Sequence, residues 1–467
     1  MELTTLSATA TVAADVPDYA HVRSTIGRHL LADGLPLVLD LDRSLGLRLA
    51  DGVTGRTYLD LFGFYASVPL GINHPALTGD PAFLARLQQA SLNKVANSDV
   101  YTAHMARMVD TFSRVGIPEH LPYAFFVEGG ALAVENALKA AFDYKVQKNY
   151  AKGHRREVGQ QVLHFEHAFH GRSGYTMSLT NTDPRKVAGF PRFPWPRIES
   201  PAVLFRRGGG TDEAETARRE ARSLAQAKQA FHDAGDDIAC IVVEPIQSEG
   251  GDRHLRPEFL AALRDLAHEN DALLIFDEVQ TGVAASGAFW CHEAMGVEPD
   301  ILAFGKKTQV CGILAGRKLD EVETNVFHVS SRINSTWGGN LADMVRFDRI
   351  LEVIEAENLV AHSGAMGEHL MAGLRGLEDR HGDLVGQARG RGTLCAFDLP
   401  TPGHRNRAID LAYEAGVVML GCGPTTIRFR PPLTVQSAEI DEGLAVLDDV
   451  LTTLAREGVD PAGKGRK

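Results

Sequence analysis

One stretch limits the folds open to this chain more than any other. Leu273-Leu274-Ile275-Phe276 is apolar without a break and closes on Asp277-Glu278. A second apolar run, Ile301-Leu302-Ala303-Phe304, follows and closes on Gly305-Lys306-Lys307. Uninterrupted short apolar runs fit strands covered on both faces, the condition of a mostly parallel sheet. Ligands of such sheets bind beyond the carboxyl ends of the strands. A carboxylate and a lysine delivered from neighbouring strand ends can hold a pyridine ring between them. The acid keeps the ring nitrogen protonated and the amine condenses with a ring aldehyde, which is how proteins handle pyridoxal phosphate.

Other readings of the same residues are available. An apolar strand ending in Asp-Glu also resembles the magnesium-binding strand of P-loop NTPases, but no G-x-x-x-x-G-K-[ST] occurs upstream. Taken alone, an Asp at a strand end is more often a turn former and a Lys more often a solvated surface residue. Only their combination with further motifs outweighs those readings.

At 467 residues the chain can form two or three domains with a large buried core. Its net charge of -12 argues against nucleic acid or an anionic membrane as the main partner. The five Cys are scattered with neither C-x-x-C nor zinc spacing, so we expect reduced thiols, no metal site and a cytoplasmic setting. No apolar run approaches the ~20 residues of a membrane span. Residues 1–20 lack a basic start and an apolar core, and read as a flexible arm rather than a signal peptide.

Residues 21–75 read as an N-terminal segment of a small domain, and within it 36–70 carry short strand and turn patterns, including Asp51-Gly52, that predict a small β-meander. From 76 to 341 helix and strand patterns alternate, as expected of a large α/β domain. Tyr123–Val127, Val162–Phe165, Ile238–Val243 and Ile313–Ala315 read as further buried strands, Ala133–Lys145 as a helix, and Pro257 as the opening of another. Residues 342–467 begin with a long amphipathic helix and continue as a smaller α/β portion, with a frayed end at Asp460–Lys467.

Three further motifs surround the opening pair. Glu128-Gly129-Gly130-Ala131 ends a strand and opens a helix, where small residues let backbone N–H groups approach a phosphate. Phe169-His170-Gly171-Arg172 offers an aromatic face and a guanidinium, and Glu244 closes another apolar strand. Each alone is an ordinary turn, packed ring or cap; four such features at strand ends are hard to obtain by chance.

With these strings, and with Phe304-Gly-Lys-Lys-Thr-Gln-Val-Cys-Gly and Asn334-Ser-Thr-Trp-Gly-Gly-Asn, the chain resembles the class-III, or ω-, aminotransferases of fold type I over residues 36–455. Within that class the strings are most similar to the bacterial lysine 6-aminotransferases. One departure is Gly282-Val-Ala-Ala-Ser-Gly, where the family usually has another Gly after the hydrophobic residue, which puts the local turn in question.

The resemblance implies an α/β fold with a mostly parallel, seven-stranded central sheet, helices on both faces, and a smaller α/β domain built from both terminal segments. It implies pyridoxal phosphate as cofactor and a homodimer with active sites at the subunit interface. Lys306 would link to the cofactor and act as general base, with Lys307 its neighbouring competitor. Asp277 would pair with the ring nitrogen, Gln280 with the ring's 3-oxygen, and Phe169, His170 and Val279 would flank the ring. Gly130 and Ala131 would bind the phosphate, completed by Thr336 of a second copy. Arg428 would grip the α-carboxylate of glutamate or 2-oxoglutarate, with Arg430 two residues on as the alternative. Arg172 would take the α-carboxylate of lysine. Glu244 would neutralise Arg428 while lysine is bound, Glu249 would assist as a gate, and Asn334 would contact substrate. The implied reaction is ping-pong transfer of the ε-amino group of L-lysine to 2-oxoglutarate, giving L-glutamate and 2-aminoadipate 6-semialdehyde, which cyclises. It belongs to lysine breakdown or β-lactam precursor supply. Ornithine, acetylornithine or 4-aminobutyrate as donor, and a non-catalytic binding protein on the same fold, are the alternatives.

Overall fold

The computed structural model describes residues 18–457. The expected flexible arm lies outside the described residues up to 17, and the expected frayed end at Asp460–Lys467 lies outside them too. Residues Tyr19 and Ala20 already belong to a helix, Tyr19–Ile26.

A seven-stranded sheet forms the centre. Its strands are β1 (Tyr123–Val127), β2 (Gln161–Phe165), β3 (Arg197–Ile198), β4 (Ile238–Val243), β5 (Leu273–Asp277), β6 (Ile301–Phe304) and β7 (Cys311–Ala315). They lie in the order β1-β7-β6-β5-β4-β2-β3. β5 runs parallel to both β4 and β6, and β2 runs parallel to β4 and β3. β7 alone is antiparallel, to β6 on one side and β1 on the other. The sheet is therefore mixed but mostly parallel, as predicted. The two-residue β3 is too short to have left a readable pattern in the sequence.

Every residue of β4, β5, β6 and β7 is buried. Alternation along the strands divides them between two cores. Leu273, Ile275, Ile301 and Ala303 face a cluster with the helix Gly130–Ala151. Leu274, Phe276, Leu302 and Phe304 face a cluster with Trp290, Phe112 and Phe347. Burying one such side chain contributes about 1.5–3 kcal/mol, so the alternation fixes which way each strand presents its last residue. Asp277 continues the Leu273–Ile275 face, and that alternation aims it to the side covered by the helix Gly130–Ala151.

The second domain interlocks both ends of the chain. The meander Leu39–Leu45, Arg48–Asp51 and Thr57–Asp60 is antiparallel, as predicted, and Val417–Val418 joins it parallel to its last strand. A four-stranded antiparallel sheet of Gly386–Arg391, Leu394–Asp398, Thr426–Phe429 and Leu420–Cys422 lies beside the helices Leu359–Arg380, Pro402–Ala415 and Ser437–Glu457. These elements share one core, with Leu374, Phe397, Ile427 and Leu447 at its centre. The helix Leu341–Ala356 buries Met344, Phe347 and Leu351 in the large-domain core instead. We therefore place the change of domain between this helix and Leu359–Arg380, rather than at residue 342.

Within the small domain the two terminal segments meet where Gly63 passes the backbone of Arg430. A Cβ at Gly63 would fall 2.0 Å from the Arg430 carbonyl oxygen, and its φ of +55° also favours glycine. Arg430 N–H donates to Leu61 O at 2.8 Å, which ties the end of the Arg428 strand to this crossing. Among the described residues, no helix is long and apolar enough to cross a membrane.

Candidate active site

The carboxyl ends of β2, β4, β5 and β6 open on one cavity of about 260 Å³. Its walls include Phe169, Glu244, Asp277 and Lys306, and Gly130 with Ala131 from the start of the helix Gly130–Ala151. A larger groove of about 870 Å³, walled by Phe142, Tyr175 and Trp195, holds none of these strand-end residues. Chemistry rather than size selects the site.

Asp277 is buried and held from two sides. Its Oδ1 accepts from Val279 N–H at 3.0 Å, and its Oδ2 lies 2.8 Å from His170 Nδ1. Burial alone would lower the His170 pKa, but the hydrogen bond and charge of Asp277 outweigh it and raise the value above the ordinary one. His170 therefore donates through Nδ1, while its Nε2 is buried with no partner among the described residues.

The two lysines are separated by their surroundings. Lys307 Nζ donates to Gln280 O at 2.8 Å and Gly282 O at 2.7 Å, so it is a structural tie. Burial, reinforced by Arg430 and Lys306, pushes its pKa well down. Lys306 borders the cavity and adopts φ +55°, a left-handed conformation uncommon for a residue other than glycine. Burial, with Arg428 adding to it against the pull of Asp277, brings the Lys306 amine down to about 8. Roughly a tenth of it is then neutral at pH 7, far more than for an amine at its ordinary value, and the neutral form is the nucleophile.

Glu278, the second acid of the opening motif, has no place in the cavity. It accepts from Cys291 N–H at 2.6 Å, His292 N–H at 2.8 Å and Thr281 Oγ1 at 3.0 Å, and so pins the turn after β5. Glu128 likewise turns outward, to Lys94 at 3.0 Å. In the turn beyond Gly282, Ala284 occupies φ +61°, so the departure from the family's glycine leaves the backbone in the conformation glycine would favour.

The rim comes from elsewhere. Arg428, from the small-domain strand Thr426–Phe429, donates to Gln280 Oε1 at 3.1 Å and pairs with Glu249 at 3.3 Å. Arg430 Nε donates to the same Gln280 Oε1 at 3.0 Å, and its Nη2 pairs with the buried Asp252. The two guanidiniums fix the oxygen end of the Gln280 amide, which leaves its NH₂ end as the donor for an oxygen in the cavity. Glu244 accepts from Phe169 N–H at 2.9 Å and Ser248 N–H at 3.2 Å, and burial pushes its carboxyl up to about 7. In this structure the carboxylate beside Arg428 is Glu249, while Glu244 is engaged by backbone donors. Arg172, Asn334 and Thr336 are exposed and do not line the cavity of this single chain. Sequence reasoning missed Asp252 and Lys186, which pairs with Glu249; neither lies in a motif that could have flagged it.

These residues fit pyridoxal phosphate. The helix Gly130–Ala151 offers free N–H groups and its positive end at the cavity wall. A Cβ at Gly130 would lie 2.9 Å from Val279 Cγ1, so only glycine leaves that approach open. An anchored acid and a lysine of lowered pKa stand at the same cavity, with the Phe169 ring beside them.

Comparison with known proteins agrees. The sequence pattern of the family aminotransferase class-III matches residues 32–451. The chain is 56% identical over 435 residues to L-lysine-epsilon aminotransferase of Mycobacterium tuberculosis, covering 93% of this chain and 96% of that protein. It is 52% identical over 436 residues to the protein of the same name from Streptomyces clavuligerus, covering 93% and 94%. A solved structure of lysine aminotransferase from M. tuberculosis matches with a TM-score of 0.91 at 55% identity, covering 94% of this chain and 100% of that one. The strand-end acid and lysine, the phosphate-ready helix start and these likenesses lead to one statement: the chain belongs to the class-III aminotransferases, which depend on pyridoxal phosphate.

Proposed function

We propose that this protein transfers the ε-amino group of L-lysine to 2-oxoglutarate, giving L-glutamate and 2-aminoadipate 6-semialdehyde. The names of its relatives at 52% and 56% identity support L-lysine as the donor and its ε-amino group as the one transferred. The observation that carries it in the geometry is the state of Arg428. This guanidinium is 1% exposed, its Nε is buried without an acceptor among the described residues, and its counter-ion Glu249 is 25% exposed. A buried guanidinium must stay paired. Glu249 pairs it while the carboxylate-free end of lysine is at the cofactor, and a dicarboxylate can replace Glu249 when glutamate or 2-oxoglutarate enters.

Pyridoxal phosphate, when bound, supplies an electron sink for the carbon that loses a proton. Asp277, oriented by His170 and Val279 N–H, would hold a proton on the ring nitrogen. Gln280 would donate to the ring oxygen, Gly130 and Ala131 would hold the phosphate, and Phe169 and Val279 would confine the ring. Lys306 Nζ would take the proton from the amine-bearing carbon of the substrate and pass it to the former aldehyde carbon of the cofactor, so that the amino nitrogen stays with the cofactor. Arg172, exposed and outside the cavity walls of the single chain, would take the carboxylate at the far end of lysine. Thr336 and Asn334, exposed on one loop, would complete the site of a second copy in a homodimer.

Glutamate formation from 2-oxoglutarate with single amino donors tests the assignment. L-lysine should give the highest kcat/KM; ornithine or 4-aminobutyrate equalling it would refute the substrate assignment.

A further inference from the structure

Glu249 does not face Arg428 alone. Its Oε2 lies 3.3 Å from Arg428 Nη2, while its Oε1 contacts Lys186 Nζ. Lys186 closes the short turn Pro184–Lys186, and its ammonium stands 5.2 Å from the centre of the Phe169 ring at the cavity wall. Side-chain exposure rises along the row, from 1% at Arg428 to 25% at Glu249 and 27% at Lys186. The carboxylate bridges a buried cation and one that reaches water.

That row matters when a substrate carboxylate claims Arg428. Without a second cation, Glu249 would have to leave its only partner. With Lys186 in place it can turn outward and remain paired. In the inward arrangement Arg428 already neutralises Glu249, so the added attraction of Lys186 is small. In the outward arrangement Lys186 is the sole partner, so its attraction weighs fully. We propose that Lys186 is a positioning residue that holds Glu249 when a dicarboxylate occupies Arg428, and so tunes the site toward 2-oxoglutarate and glutamate relative to L-lysine. The proposal rests on the reading of Arg428 as the carboxylate-binding group.

The test uses the cofactor-loaded protein, calorimetric binding of glutarate as an unreactive dicarboxylate, and separate kcat and KM values for both substrates. Lys186→Met should weaken glutarate binding and raise KM for 2-oxoglutarate roughly three- to fivefold, leaving kcat/KM for L-lysine unchanged. Lys186→Arg should restore the parent values. In a Glu249→Gln background, Lys186→Met should have no further effect. Equal losses for both substrates would point to packing on Phe169 and overturn the proposal. So would an undiminished effect in the Glu249→Gln background, or unchanged glutarate affinity in Lys186→Met. Arg428→Ala separates the two levels: if it leaves glutarate affinity intact, the reading of Arg428 itself fails. If it abolishes binding while Lys186→Met changes nothing, only the role of Lys186 falls.

Discussion

The floor and the rim of this site are built in opposite ways. The floor consists of residues at the ends of parallel strands, Asp277 and Lys306, and the start of one helix, Gly130–Ala151. Each is fixed by strand alternation and by bonds to neighbours, such as Val279 N–H and His170 on Asp277. The rim consists of charged side chains from different domains that share partners: Arg428 and Arg430 on one Gln280 oxygen, Arg428 and Lys186 on one Glu249. A fixed floor suits chemistry that is the same for every amine. A rim of exchangeable ion pairs suits a site that must accept a substrate with one carboxylate and then a substrate with two.

Substitutions on the floor should therefore hit all substrates alike. The largest effect is expected for Lys306→Ala, a fall in turnover on the order of 10³-fold or more, with loss of the visible absorbance of the bound cofactor. Retained absorbance would transfer the role to Lys307, despite its bonds to two backbone carbonyls. Asp277→Asn should slow turnover with lysine and with glutamate by about a hundredfold; a loss confined to one substrate would blur the distinction between floor and rim.

A pH series sharpens the floor further. The Lys306 pKa is lowered to about 8, so its amine is protonated below that value and neutral above it. Reconstitution of the cofactor-stripped protein with pyridoxal phosphate should quicken about tenfold per pH unit below 8 and level off above it. A rate that kept climbing toward pH 10 would show an amine that burial has not perturbed. The smallest effect is expected at Ala284→Gly. Relief of the left-handed backbone offsets the lost burial of one methyl, so the unfolding free energy should change by less than about 1 kcal/mol, with kcat unaltered.

The same contrast decides what the sequence could disclose. Strands buried on both faces write themselves as unbroken apolar runs, so β4, β5 and β6 and the acid and lysine at their ends were readable directly. The direction of β7 was not, because Ile313-Leu314-Ala315 has the same apolar character whichever way it runs. Glu278 was indistinguishable from Asp277 until its bonds to Cys291 and His292 placed it in a turn. The rim was legible only through family likeness, and this structure sets Glu249 rather than Glu244 beside Arg428. Its partners are far apart in the chain, Gln280 and Arg428 by 148 residues and Lys186 and Glu249 by 63. No local pattern marks side chains that meet only once distant parts of the chain have folded together.

The most direct test of a shared floor and a selective rim is the single-turnover rate of each half-reaction in Arg428→Ala, read from the absorbance of the bound cofactor. The half-reaction with L-lysine should change by less than about threefold, since Glu249 rather than substrate occupies Arg428 in that state. The half-reaction with L-glutamate should weaken about ten- to a hundredfold in kcat/KM, the loss expected for a charge-assisted carboxylate pair. Equal losses with both amino acids would contradict the account.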